Sequence, residues 1–344
     1  MNKIKVFLGA YVNQINAQNL NCRSILENLS SKNFEVYSLR THFGDQKYPA
    51  EKTFYCFRPF RVSRHIGFLL GILNCDVAYL PKHIDTPLWV LKIAKIFQKK
   101  IFTTIEGNVT DRSKSNLIDL FGSQKKMLYY FSHFNAIYGI SDYLIENANN
   151  ILNIRDKPLF LGVNFCNSLN KNIKSLNTII FIGSLIKRKR VFEFLSLAML
   201  FPKINFRIVG DGPELNKLKN KSPINVDFTG ELSNNDMYDT LMDADLLFLP
   251  SKSEGFPKVI LEAASVGIPS IVYNTYGASS WIKHNHNGFI VSDFNEVECI
   301  INNLLDDSAL LIDSSNAAFR LARKFDWKCL ITNWEEEIKK IYNE

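Results

Sequence analysis

Asp245-Leu-Leu-Phe-Leu-Pro250-Ser-Lys-Ser-Glu254-Gly-Phe-Pro-Lys-Val-Ile-Leu-Glu262-Ala-Ala-Ser-Val-Gly-Ile-Pro269 begins with an unbroken apolar run. Such a run is what a parallel strand covered on both faces requires. Ser251 to Gly255 is turn chemistry. Pro257 suits the first turn of a helix, and Gly267 with Pro269 ends it, after which Ser270-Ile-Val-Tyr273 starts another strand. Strand, loop, helix, strand is the repeating element of a doubly wound parallel sheet. This copy carries one acid at the mouth of the helix, Glu254, and a second, Glu262, about two turns further on.

A rise of about 1.5 Å per residue separates those two carboxylates by roughly 12 Å or less along the axis. That span is comparable to the distance between the ribose and the sugar of a nucleotide-sugar. Between them lie the amides of Gly255 and Phe256, at a helix N-terminus that favours phosphate. A carboxylate accepts from a cis-diol at each end, and a diphosphate fits across the middle. Taken singly, each acid has a plainer reading: Glu near a helix start complements the dipole, and Glu262 alone is a solvated helix position.

Working outward, the first half alternates short apolar runs with helical stretches: Ile4 to Leu8, Glu35 to Leu39, Val77 to Leu80, Ile101 to Ile105 and Asn135 to Ile140. Ser141 is a good N-cap for the helix that follows. The polar segment 166–177 reads as a linker, and a second alternation starts at Thr178-Ile-Ile-Phe-Ile182. The expected organisation is a first domain over 1–165, a linker over 166–177, a second domain over 178–314 and a helical tail over 315–344 bearing Trp327 and Trp334.

The chain has 344 residues, 46% hydrophobic, enough for two cores. Its six cysteines, Cys22, Cys56, Cys75, Cys166, Cys299 and Cys329, form no Cys-x-x-Cys pair, so neither a zinc cage nor a disulfide framework is expected. Met1-Asn-Lys-Ile-Lys-Val-Phe-Leu8 enters a strand without a signal-peptide pattern, and Gly67 to Leu73 is too short an apolar patch to span a bilayer. Charge is uneven: residues 1–165 hold 21 Lys and Arg against 12 Asp and Glu, while residues 166–344 hold 20 against 22. Basic residues interleave with aromatics over Phe57 to Phe68, and lysines recur over Leu91 to Lys100, segments that suit anionic lipid or a lipid-diphosphate. The plainer alternative is a helix with its apolar face in the core and its lysines in water. No RNA-binding, helix-turn-helix or zinc-finger pattern is present, and nucleic acid is not an expected partner.

The segment Pro250-Ser-x-x-Glu254-Gly-Phe256, with Glu262, resembles the signature of the retaining GT-B glycosyltransferases of family four, the group 1 enzymes of bacterial polysaccharide and lipopolysaccharide biosynthesis. The likeness extends through Phe181 to Arg190, Ile208 to Pro213, Val226 to Gly230, Ala244 to Pro250, Tyr276 to Ile282 and Asn287 to Val291. It implies two facing Rossmann-like domains with the active site in the cleft between them. The second would hold the nucleotide-sugar and the first the acceptor, with the tail crossing back onto the first.

Carried over by residue, the resemblance makes Lys189 the ammonium facing the donor diphosphate, Glu262 the partner of the ribose hydroxyls and Glu254 a positioning and electrostatic residue beside the transferred sugar. Backbone around Gly255, Phe256, Pro257 and Lys258 would hold sugar hydroxyls and phosphate. Gly9, after the first strand, would let backbone approach the donor, and Gly230 and Glu231 would border the base. Two positions depart from the family: Ser184 stands where many relatives have Arg, leaving Arg188 or Lys258 to replace it, and Glu106 stands where many have His.

The implied chemistry is transfer of a sugar from a UDP- or GDP-linked donor to a glycan or lipid-linked acceptor. It proceeds with retention, by same-face attack in which the departing phosphate takes the acceptor proton. No cofactor or metal is expected: Asp243-Ala-Asp245 resembles the metal motif of another glycosyltransferase class, but it precedes its strand and reads as a helix end and strand start. A sugar-nucleotide epimerase of the same architecture and an inactive nucleotide-sugar-binding scaffold are the alternatives. The expected location is the cytoplasm, at the inner face of the membrane.

Overall fold

The computed structural model describes residues 3–47, 52–110, 116–165, 171, 173–232 and 234–344. Half of the linker expected over 166–177, residues 166–170 and 172, therefore lies outside the described residues. The chain divides into two compact units, Met1–Gly162 with Trp327–Glu344, and Val163–Asp326.

In the first unit the elements run β1 (Ile4–Tyr11), α1 (Ala17–Asn28), β2 (Phe34–Thr41), β3 (Thr53–Cys56), α2 (Phe60–Asn74), β4 (Val77–Tyr79), α3 (Leu88–Ile96), β5 (Lys100–Ile105), α4 (Leu117–Phe121), α5 (Gln124–Phe131), β6 (Ala136–Gly139) and α6 (Asp142–Ala148). Its six strands are all parallel, in the order β3-β2-β1-β4-β5-β6. The apolar runs become strands because helices cover both faces of the sheet, burying Phe7, Ile72, Ala78, Ile101 and Ile137. Ser141 caps α6, its hydroxyl accepting from the Leu144 amide at 3.3 Å. The edge strand β3 has four residues and no strong alternation, so the sequence pattern does not reveal it.

The second unit repeats the plan: β7 (Thr178–Ile182), α7 (Val191–Leu200), β8 (Asn205–Val209), α8 (Leu215–Lys221), β9 (Val226–Gly230), α9 (Asn234–Met242), β10 (Leu246–Leu249), α10 (Lys258–Ala264), β11 (Ser270–Tyr273), β12 (Phe289–Val291), α11 (Phe294–Asp306) and α12 (Ser308–Lys324). The strand order is β12-β11-β10-β7-β8-β9, again parallel throughout. All four residues of β10 are buried, as an apolar run without alternation requires. Gly267, at φ 88, ends the helical segment before Pro269 and β11.

The chain returns to the first unit with α13 (Trp327–Asn343), not at Ser315 as the expected tail boundary has it. The residues of α12 stay in the second unit because Ala318 and Ala322 pack on Ala264 of α10. In α13 the Trp334 indole donates to the Phe160 carbonyl at 3.0 Å, and the Glu335 carboxylate accepts from the Ser30 amide at 2.8 Å.

Gly9 lies inside β1, not in a loop after it. A Cβ there would come within 2.6 Å of Leu80 Cδ2 and 3.0 Å of Phe68 Cε1, so the glycine answers to packing within the sheet.

Candidate active site

A parallel sheet binds ligands beyond the carboxyl ends of its strands, at the point where strand order reverses. In the second unit that point lies between β7 and β10: the chain builds β8 and β9 to one side of β7, then crosses to place β10, β11 and β12 on the other. The loops after these two neighbours carry the residues singled out from the sequence.

After β7, Gly183 takes φ 151 and Ser184 is exposed. Lys187–Lys189 then forms one tight turn, closed by Arg190 in the left-handed region at φ 48. A non-glycine residue held there stores on the order of 1–2 kcal/mol of strain. Three contacts hold it: the Arg190 guanidinium lies 5.5 Å from the Tyr273 ring centroid and 3.3 Å from Glu193 Oε1, and the Tyr273 hydroxyl donates to Glu193 Oε2 at 2.7 Å. Arg190 and Glu193 are a local pair, but nothing in the sequence joins Tyr273 to them, since 83 positions separate it from Arg190 and only the β7–β10–β11 order brings them together.

That turn aims two cations at the loop after β10. Lys189 Nζ lies 2.6 Å from Glu254 Oε1, and Arg188 Nη1 lies 3.3 Å from Glu254 Oε2 while also donating to the Ser253 carbonyl. The Lys189 and Glu254 side chains retain only 12% and 9% of their exposure, so this pair is far less screened than a surface ion pair. The Lys252 amide bonds the Arg188 carbonyl at 2.9 Å, tying the two loops through their backbones as well. Lys189 lies across Gly183, whose hypothetical Cβ would be 3.6 Å from Lys189 Cε and Nζ.

Helix α10 starts at Lys258, with Pro257 as its cap, so Glu254 belongs to the loop and Glu262 sits about one turn into the helix. Burial raises the Glu262 carboxyl above the ordinary carboxylate value, and the Lys258 ammonium pulls it partly back. Phe256 stacks on Trp281, with centroids 5.2 Å apart and planes 14° apart, and Phe325 closes the cluster at 6.2 and 5.7 Å. Behind Glu254, the Tyr276 hydroxyl donates to the Leu249 carbonyl at 3.4 Å; burial and then the Glu254 charge raise its pKa and keep it neutral. The sequence pattern carries no sign of this aromatic backing.

Gly230, at φ 75, ends β9, where its carbonyl accepts from the Gly210 amide at 2.9 Å; Glu231 beside it is exposed. Asp245 is structural: its carboxylate accepts from the Asn177 and Thr178 amides and pairs with Lys171 at 2.8 Å, while Asp243 pairs with Arg207. Among the described residues no group of three or more His, Cys, Asp or Glu is placed to hold a metal ion.

The first unit has its own reversal point, between β1 and β4, and a pocket of about 250 Å³ opens near it. Gln18, Lys82, Asp85 and Glu106 line it together with Ile84 and Leu117. Lys82 pairs with Asp85 at 3.4 Å, and the Thr104 hydroxyl donates to Glu106 Oε1 at 3.4 Å. His83 is bonded to the Thr103 hydroxyl at 2.7 Å, and burial pushes its imidazole down to about 4, leaving it neutral at pH 7. Glu106 and Gly9 thus belong to the first unit, while Lys189, Arg188, Glu254 and Glu262 belong to the second.

Residues 168–320 match the family model described as glycosyl transferases group 1. The chain is 34% identical over 150 residues to an Escherichia coli protein, UDP-Gal:alpha-D-GlcNAc-diphosphoundecaprenol alpha-1,3-galactosyltransferase, covering 42% of this chain and 38% of that one. It is 38% identical over 111 residues to the putative teichuronic acid biosynthesis glycosyltransferase TuaC of Bacillus subtilis, covering 31% and 27%. The chain thus spans roughly a quarter to two fifths of these two curated relatives. Among solved structures, Anabaena HepE in complex with UDP and glucose superposes with a TM-score of 0.77 at 17% identity, covering 98% of this chain and all of that one. The lipopolysaccharide outer core galactosyltransferase WaaB superposes with a TM-score of 0.74 at 17% identity, covering 98% and 99%. The fold is the GT-B fold of two Rossmann-like α/β domains, and nearly all of the second unit lies within the match to the group 1 glycosyl transferases.

Proposed function

We propose that the protein is a retaining glycosyltransferase that takes a sugar from a UDP- or GDP-linked donor and places it on a glycan or lipid-linked glycan in surface polysaccharide or lipopolysaccharide biosynthesis. The carrying observation is the Lys189–Glu254 pair at the β7/β10 reversal point, with Glu262 one turn into the adjoining helix. On this reading the donor diphosphate replaces Glu254 as the anionic partner of Lys189 and Arg188. The freed Glu254 carboxylate then accepts from hydroxyls of the transferred sugar, and Glu262 accepts from the ribose diol. Arg188 stands in for the arginine missing at Ser184, because its guanidinium already reaches the Glu254 loop.

As the glycosidic bond breaks, charge grows on the leaving diphosphate, and the two fixed cations meet it without reorganisation. The acceptor attacks from the same face and gives its proton to the departing phosphate, so Glu254 positions and stabilises and does not act as nucleophile. With two cations placed this way no metal or cofactor is needed. The first unit's pocket takes the acceptor, with Gln18, Asp85 and Glu106 offering acceptors for its hydroxyls. Similarity to relatives whose names include diphosphoundecaprenol supports a lipid-linked acceptor, and with it a place on the inner face of the cytoplasmic membrane.

Ligand-observed NMR with a panel of nucleotide-sugars and bare nucleotides tests this reading. One nucleotide series is expected to bind and Glu262→Ala to lose it; binding that survives the substitution would remove the ribose role. The pH profile is a sharper check. The diol donates to the ionised carboxylate, so affinity is expected to be flat above the raised Glu262 pKa and to fall as pH drops through it. Glu262→Gln should lack that acid limb.

A further inference from the structure

We propose that the outward face of α2, continued by α3, docks on an anionic phospholipid bilayer. This helix has its apolar residues on the unusual side. Toward the sheet it presents Ser63, Gly67, Phe68, Gly71 and Ile72. The glycines are forced by close approach: a Cβ on Gly71 would lie 2.3 Å from the Phe7 ring, and one on Gly67 would lie 2.9 Å from Leu39 Cδ2. With the small side chains turned inward, Val62, Ile66, Leu70 and Leu73 stand outward, 55%, 41%, 40% and 39% exposed. They recur at intervals of four, four and three residues, which is one stripe along a helix. A helix meant only for water would carry lysines there.

Helix α3 continues the face. Trp89 meets His65 of α2 at 5.9 Å, and Ile96 and Phe97 are 74% and 57% exposed. Phe57, just before α2, is exposed as well. Isolated exposed apolar residues are ordinary, but a contiguous set on two neighbouring helices marks an interaction surface.

Charge decides the occupant. Over residues 57–100 there are eight Lys and Arg and two acids, and both acids are engaged: Asp76 bonds the Lys5 amide, and Asp85 pairs with Lys82 and Arg64. Neither α2 nor α3 contains an acid. Arg58 just before α2, Arg61 in its first turn, and Lys92 and Lys95 on α3 are exposed, Lys92 with its ammonium 5.8 Å from the Tyr129 ring. Aliphatic side chains at the centre, a tryptophan beside them and cations at the rim match the boundary between acyl chains and anionic headgroups. This surface lies in the first unit and does not depend on the donor reading, which rests on the second.

Co-sedimentation of the full chain with vesicles of equal parts phosphatidylglycerol and phosphatidylcholine, against phosphatidylcholine alone, tests the assignment. The protein is expected to pellet with the anionic vesicles at low salt and to be released as salt screens the cations. Ile66→Ser with Leu70→Ser is expected to lower partitioning about tenfold or more, and Arg58→Glu with Arg61→Glu by at least as much, near fivefold for each charge removed. These side chains are exposed, so both variants should keep the wild-type circular dichroism and nucleotide binding. Equal pelleting with both vesicle types, or variants that bind like wild type, would overturn the proposal. A wild-type dimer that the variants split without any change in vesicle binding would also overturn it, by assigning the face to a second copy of the chain.

Discussion

Lys189→Ala is expected to reduce kcat/KM for the selected nucleotide-sugar by about two to three orders of magnitude, the usual cost of deleting one preorganised charge aimed at a leaving group. Two effects add. The ammonium proposed to meet the developing diphosphate charge is gone, and Glu254, at 9% exposure, loses its 2.6 Å partner and keeps the longer Arg188 contact at 3.3 Å. An undercompensated carboxylate then faces an anionic ligand, so KM should rise as kcat falls. Arg188→Ala should cost less, because its side chain is 37% exposed and therefore better screened. Steady-state kinetics with matched circular dichroism would check both. A Lys189→Ala enzyme within a few fold of wild type would remove the lysine from the mechanism.

Gly210→Ala carries the largest expected effect on stability. Gly210 follows β8 at φ 135, a region that L side chains rarely enter, and an added Cβ would lie 2.1 Å from the Gly183 carbonyl oxygen. The obstacle is backbone, so no rotamer change relieves it. Gly183 is also bonded to the Val209 carbonyl at 2.9 Å and forms the floor under Lys189. Backbone strain and overpacking of roughly 1–3 kcal/mol each suggest a loss of about 4 kcal/mol in the second unit. Thermal denaturation should show a drop of about 10 °C for a unit of this size. Nucleotide affinity should fall in parallel, since the floor beneath the lysine must move. A melting temperature unchanged within about 2 °C would show that the two strand ends can separate freely.

How much of this was legible in the sequence differs by residue. The unbroken run Leu246 to Leu249 announced a buried parallel strand, because only burial on both faces tolerates four apolar residues without alternation. Gly267 and Pro269 announced the end of the helical segment for local stereochemical reasons. Lys189, Arg188 and Glu254 were nameable from motif order, and their contact follows from β7 and β10 being neighbours, a fact of topology that no local pattern contains. The Arg190–Glu193–Tyr273 brace and the Phe256–Trp281–Phe325 cluster were invisible for the same reason. Gly9 lies within β1 and not after it, because strand length is set by pairing with β2 and β4, and only the Leu80 and Phe68 side chains reveal the close packing at this glycine. For the segment that includes α2 the sequence leaves both a lipid-facing and a core-packed reading open, and the outward stripe becomes legible only when its glycines are seen to face the sheet.

The proposed mechanism is a division of labour in which Lys189 would answer the diphosphate and Glu254 the sugar, the two being paired with each other in the structure. Calorimetric titration of UDP and GDP onto wild type and Glu254→Gln tests it most directly. The substitution removes a negative charge paired with Lys189 and leaves Glu262, the proposed ribose partner, in place. The prediction is that the bound nucleotide keeps or gains affinity in Glu254→Gln while sugar transfer is lost. Weaker nucleoside diphosphate binding in that variant would contradict the division and return Glu254 to a purely structural role.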